Sequence, residues 1–170
     1  VTTVYDGKTT TMAGSANNAS QIGLDPTLFE VLSTARQLPN SQHVGLNANG
    51  QIRLYGHANY VGKNTLSILI AEGYVITNVE INFLSGSNNP LSATLMLGDD
   101  EILLTAEDIV NATKTYEDLS IDGFSIRNTQ NGGSGNSQIY IESIVITYKE
   151  GTATSEFAPI PVLVVTFDLK

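Results

Sequence analysis

Arg53, Tyr55, Asn59 and Tyr60 fall within one short stretch, with His57 inside it and Tyr74 just beyond. Tyrosine rings stack on the C–H faces of sugar rings, and Arg and Asn side chains exchange hydrogen bonds with sugar hydroxyls. Together they are the residue types of a glycan-binding surface. The same tyrosines also suit β-strands with no ligand at all. The chain contains no Trp, the strongest stacking platform.

No other residues are spaced for chemistry. The two histidines, His43 and His57, have no partner at metal-binding spacing, such as a second His four residues on along a helix. No G-x-S-x-G elbow frames a serine nucleophile, and the absence of cysteine excludes disulfides, thiolate metal sites and Cys nucleophiles. No pair of carboxylates is marked out as a glycosidase acid and base. A non-enzymatic protein is expected. The acidic group Asp99, Asp100 and Glu101, with Glu107 and Asp108 nearby, offers hard oxygens for a structural calcium. Its spacing is not that of an EF-hand loop, and a solvated hairpin tip is the competing interpretation. Apart from that calcium, no cofactor is expected.

The balance of charge narrows the partners. Eight Lys and Arg face 17 Asp and Glu, a net charge of -9. Phosphate backbones and anionic membrane surfaces require the opposite sign, so nucleic acid and membrane partners are disfavoured. No stretch approaches the ~20 apolar residues of a membrane helix. Only 15% of residues are charged, and Ser, Thr, Asn and Gly are abundant, which suggests a secreted or cell-surface β-protein. At 170 residues the chain can build a single core.

The elements that would position these residues are strands. In residues 138–149, Ile139 and Ile141 alternate with polar neighbours, and Ile144, Ile146 and Tyr148 continue the same face after a slip at Glu142-Ser143. Alternation marks a half-buried strand, and a one-residue slip within it marks a β-bulge. Residues 65–71 point Leu66, Ile68 and Ile70 inward, and residues 74–84 point Val75, Thr77, Val79, Ile81 and Phe83 inward. Residues 91–97 do the same with Leu91, Ala93, Leu95 and Leu97. Asn47 to Gly50 forms a tight turn between strands at 43–46 and 51–55, with Gly50 the residue at positive φ. Further strands are expected at 1–5, 30–35, 102–105, 116–121 and 124–128, the last two flanking an Asp122-Gly123 turn. Residues 8–20 read as an exposed loop. Asp25-Pro26 predicts a helical turn within 21–29, and 106–114 is either another turn of helix or a loop. The spacing of turn signals implies an all-β, antiparallel, jelly-roll-like sandwich with one or two short helical turns.

Two groups of segments resemble a known type of module. The first is Gly23-Leu24, Phe29-Glu30-Val31, His43-Val44-Gly45-Leu46 and Gly50-Gln51-Ile52-Arg53-Leu54-Tyr55. The second is Phe124-Ser125-Ile126-Arg127-Asn128 with the run from Ile139 to Tyr148. In this order they resemble carbohydrate-binding-like β-sandwich modules of secreted and surface proteins of Firmicutes and Mollicutes. The resemblance spans residues 6–149. It implies the sandwich fold and a binding or adhesive role, and it carries no binding residues with it.

Residues 1–150 are therefore expected to form the sandwich, with 151–170 a linker and a final strand. Residues 162–169, VLVVTFDL, are apolar on both faces at their start and would be aggregation-prone if exposed. They can complete their own sheet, be donated to a like subunit, or open a further domain. Two functions follow as expectations: an extracellular glycan-binding or adhesive module, and a self-assembling filament or lattice subunit that makes homo-oligomers through its last strand.

Overall fold

In the computed structural model the described residues are 2–4, 12, 14, 16–34, 43–47, 49–56, 64–84, 92–129 and 138–154. Among the described residues eleven strands run in chain order: β1 (Thr2–Val4), β2 (Phe29–Ser33), β3 (Gly45–Leu46), β4 (Ile52–Tyr55), β5 (Thr65–Ile70), β6 (Tyr74–Leu84), β7 (Ala93–Leu97), β8 (Asp100–Leu104), β9 (Thr113–Tyr116), β10 (Gly123–Asn128) and β11 (Gln138–Glu150). They form two sheets, one ordered β3-β4-β11-β6-β9 with β1 also on β11, the other β2-β5-β10-β7-β8. Every pairing is antiparallel. Apart from the β3–β4 and β7–β8 hairpins, the chain passes from sheet to sheet, as in a jelly roll. The only helical pieces described are a 3-10 turn (Ala19–Ile22) and the helix α1 (Ala106–Ile109).

Alternation builds the core. Leu66, Ile68 and Ile70 from β5, Ala93, Leu95 and Leu97 from β7, and Ile139, Ile141, Ile144 and Ile146 from β11 are all buried between the sheets. Each fully buried branched aliphatic side chain contributes about 1.5–3 kcal/mol. Tyr148 closes one end of this core, its ring edge-on to Phe29 at 5.4 Å and to Tyr74 at 6.1 Å.

The expected bulge is present. Ile141 lies opposite Phe83 and Ser143 opposite Asn82, so Glu142 is the extra residue. A second bulge sits on the partner strand. Thr147 pairs with Asn78 and Tyr148 with Ile76, leaving Thr77 unpaired. Thr77 therefore does not face the core as its alternation predicts. Ile76 takes the inward place, with no exposed area, because a large aliphatic group gains far more from burial than a hydroxyl-bearing one.

Other local expectations shift for physical reasons. Residues 8–20 are not simply an exposed loop, since Met12, Asn18 and Ala19 are buried. The Asp25-Pro26 segment is one hydrogen-bonded turn, held by Asp25 Oδ1 accepting from the Thr27 N–H (2.8 Å), and the 3-10 turn precedes it. Residues 116–121 do not form a hairpin strand. The strand is β9, which ends at Tyr116, and the chain then crosses from the first sheet to β10 through Asp118 at φ 56°. The turn at Asn47 to Gly50 forms as predicted: Gly50 has φ 75°, and Asn47 Oδ1 accepts from the Asn49 and Gln51 N–H groups.

Buried asparagines tie the layers together. Asn64 Oδ1 accepts from the Tyr55 N–H at 2.7 Å, and its Nδ2 donates to the Thr34 carbonyl at 2.9 Å. Asn128 Nδ2 donates to the Leu54 carbonyl at 3.2 Å. Thus β4 of the first sheet is bonded to two points of the second. Two more asparagines close the free edge of β2. Asn17 Nδ2 donates to Phe29 O at 2.8 Å and its Oδ1 accepts from Val31 N at 2.9 Å, as a neighbouring strand would. The Asn18 N–H adds a bond to Val31 O at 2.8 Å.

Candidate ligand-binding face

Ile52 and Leu54 of β4 are buried, so Arg53 and Tyr55 occupy its outer face. The register with β11 sets Tyr140 directly opposite Arg53 and Gln138 directly opposite Tyr55. Cβ atoms of directly opposed residues lie about 4.5–5.5 Å apart. Across β11, Tyr140 also faces Leu84 of β6. Two tyrosines, one arginine and one glutamine thus share a patch on the outside of the first sheet.

The patch is held from beneath. The Tyr55 N–H is fixed by Asn64, and the Arg53 guanidinium carbon lies 4.7 Å from the Tyr55 ring centre, a cation–π contact that restricts both side chains. Tyr55 is only 6% exposed, so its ring face is occupied by Arg53 and not open as a stacking platform. Arg53 Nε is buried with no hydrogen-bond partner among the described residues. Tyr140 is half-buried, and its hydroxyl donates to Gln138 Oε1 at 2.6 Å. The arrangement sets a half-buried guanidinium, an aromatic ring and an amide side by side.

Of the four residues singled out in the sequence, Arg53 and Tyr55 are brought into contact here, while Asn59 and Tyr60 lie outside the described residues. Sequence reasoning missed Tyr140 and Gln138. The alternation of residues 138–141 already placed both on the outward face, but which strand they would lie beside was set by pairing across about half of the chain.

The acidic candidates are dispersed. Gly98 and Asp99 form the β7–β8 turn, and Asp100 and Glu101 continue into β8 on alternate faces. Glu101 Oε2 lies 3.7 Å from Arg127 Nη2. Asp108 is engaged elsewhere: it accepts from Lys114 and from the Thr105 N–H and hydroxyl, and these bonds, the Lys114 one foremost, lower its pKa to about 2. Among the described residues no three His, Asp or Glu side chains converge as a metal site. Nor is any helix among them long and apolar enough to cross a membrane.

His43 Nδ1 lies 3.3 Å from Ser33 Oγ. A serine nucleophile must reach substrate, whereas Ser33 is 3% exposed and paired opposite Leu66. The imidazole packs over Gly14, where even a β-carbon would come within 2.3 Å of His43 Cε1. His57 lies outside the described residues.

A second feature occupies the other end of the same outer face. A shallow hollow of about 650 Å³ is lined by Thr77, Asn78, Glu117, Asp118, Ser120 and Lys149, among others. The Thr77 bulge shapes it: Thr77 Oγ1 donates to Thr147 O at 3.2 Å, and Thr77 O accepts from the Leu119 N–H at 3.0 Å. It has no aromatic wall, and its groups are hydroxyls, an amide and opposed charges.

No family model matches the chain, and no curated protein matches it. Among solved structures the chain is similar to a family two carbohydrate esterase from Cellvibrio japonicus, with 14% sequence identity and a TM-score of 0.45 over 96% of this chain, and it spans 37% of that structure's length.

Proposed function

We propose that this chain is a non-enzymatic extracellular binding module that recognises glycans through the outer face of β4 and β11. The observation that carries the proposal is the pairing of the half-buried Tyr140 with the half-buried Arg53 on one outward face, with the guanidinium seated over Tyr55. A sugar ring laid on Tyr140 would gain C–H contact with the aromatic face and a hydroxyl acceptor for Arg53, with Gln138 beside it. The acidic net charge directs the choice toward neutral or amino sugars and away from polyanions. A secreted or surface location accords with the low charged fraction and the absence of cysteine.

The test is a screen of neutral, acidic and amino polysaccharides followed by calorimetry. Binding is expected to weaken at least tenfold, the scale of one lost stacking contact, on Tyr140→Ala and on Arg53→Ala, with circular dichroism unchanged. Failure of every glycan class to bind, or undiminished affinity in both variants, would sink the proposal.

A further inference from the structure

The final strand expected at 162–169 lies outside the described residues. On the outer face of the first sheet, the aromatic patch and the hollow lie on one line. Ile144 and Ile146 of β11 and Val79 and Ile81 of β6 are buried. Ser143, Val145 and Thr147 therefore point outward, directly beside Asn82, Glu80 and Asn78. The row begins at Tyr140, opposite Leu84, and ends at Thr147, opposite Asn78, in the wall of the hollow. From Leu84 to Asn78 it covers six ladder steps, about 20 Å at strand geometry. Each of these side chains is half-buried, so the row is a floor open along its whole length.

The middle of the floor suits hydroxyls. Asn82 Nδ2 donates to Ser143 Oγ at 2.7 Å, and Asn82 Oδ1 accepts from Thr113 Oγ1 at 2.6 Å. These bonds fix the serine oxygen and leave its O–H to donate. Beside it, Glu80 accepts a long bond from Asn82 Nδ2 at 3.3 Å. The far end suits positive charge. The hollow sets Glu117 and Asp118 against a single cation, Lys149, and both carboxylates are exposed. Neither is ion-paired among the described residues. Arg53 stands at the opposite end of the row, about 20 Å away, beyond the ~8 Å over which charge acts through physiological salt.

We propose that the ligand of this face is a linear polysaccharide carrying free amino groups, laid along β11 with one ring on Tyr140 and an ammonium-bearing ring in the hollow. This deepens the glycan reading above and rests on it. A single sugar on Tyr140 leaves most of the row uncovered. A longer chain adds the Ser143 and hollow contacts without a second loss of translational freedom. In the hollow an ammonium is attracted by Glu117 and Asp118, and a neutral acetamide is not. A cationic peptide satisfies the hollow alone, whereas the flat C–H face that stacks on Tyr140 belongs to a sugar ring.

The test is calorimetry on the native chain with glucosamine, its two-unit and six-unit oligomers, the N-acetylated counterparts and oligolysine. The six-unit amino oligomer is expected to bind at least tenfold more tightly than the two-unit one, to exceed its acetylated counterpart about fivefold, and to weaken as salt rises. The double variant Glu117→Gln, Asp118→Asn keeps at position 118 a residue type that tolerates φ 56°. It should lose about fivefold in affinity for the six-unit amino oligomer and nothing for the two-unit one. Tyr140→Ala should weaken both. Affinity independent of chain length, no preference over the acetylated oligomer, oligolysine binding as tightly, or a double variant that binds as the native chain does would overturn this inference alone. No binding by any glycan would overturn it together with the glycan reading.

Discussion

Replacing Asn64 with Ala tests whether a single buried amide holds β4 to the second sheet. Asn64 is 1% exposed, and its side chain satisfies the Tyr55 N–H at 2.7 Å and the Thr34 carbonyl at 2.9 Å. Ala removes both bonds at once. Each buried group left unpaired costs about 1–3 kcal/mol, and water entering the vacated space recovers part of that. A net loss of about 3 kcal/mol is expected, a large share of the ~5–15 kcal/mol that stabilises a typical domain. With a urea slope of about 2 kcal/mol per M for a chain of this size, the unfolding midpoint should fall by about 1.5 M. Tyrosine fluorescence suits the titration because Trp is absent, with far-UV circular dichroism as the second probe. Asn64 also anchors the backbone of Tyr55, so glycan affinity should fall in the folded variant. A midpoint lowered by less than about 0.3 M at unchanged slope would refute the reasoning, since it would mean that neither bond contributes net stability.

Further outcomes are expected from the helix α1 and from the bulge. The Asp108 carboxyl is lowered to about 2, chiefly by its bond to Lys114 and then by Thr105. A lowered carboxylate contributes stability that is full above its unfolded value, near 3.9, and lost as pH falls through its folded one. The native chain should therefore lose more stability than Asp108→Asn between about pH 4 and pH 2, followed as urea midpoints at each pH. Parallel curves would show that the contact has no net effect. Deleting Glu142 should leave a cooperatively folded protein, because Ser143 then follows Ile141 with the alternation intact. Deleting Val145 instead turns Ile146 and Tyr148 outward and should abolish cooperative unfolding by circular dichroism. Two deletions with equal effect would contradict this account of the strand.

What could be read from the sequence was whatever leaves a local period. The isoleucines of β11 face one side with a slip, so both the strand and its bulge were evident before pairing was known. Gly50 marked its turn because few other residues adopt that backbone readily. The blocking of β2 left no such trace, since Asn17 imitates a strand with two side-chain atoms and so produces no pattern of alternation. Thr77 misled for a related reason. Its bulge is defined by the partner strand, and Val75 to Phe83 alternates equally well without it. The binding face was half legible. Arg53 and Tyr55 belong to one short strand, whereas Tyr140 joins them only through a register spanning more than eighty residues of chain.

The two extra residues in the central strand pair lie on opposite partners, Glu142 on β11 and Thr77 on β6. The offset introduced by the first is cancelled by the second. The five pairs between them, from Ser143 with Asn82 to Thr147 with Asn78, form a cassette bolted at both ends. Sliding it by a single step would open a gap at one bolt and a clash at the other. The longest ladder among the described strands therefore has one permitted alignment, and slippage, the usual failure of long paired strands, is blocked by two imperfections.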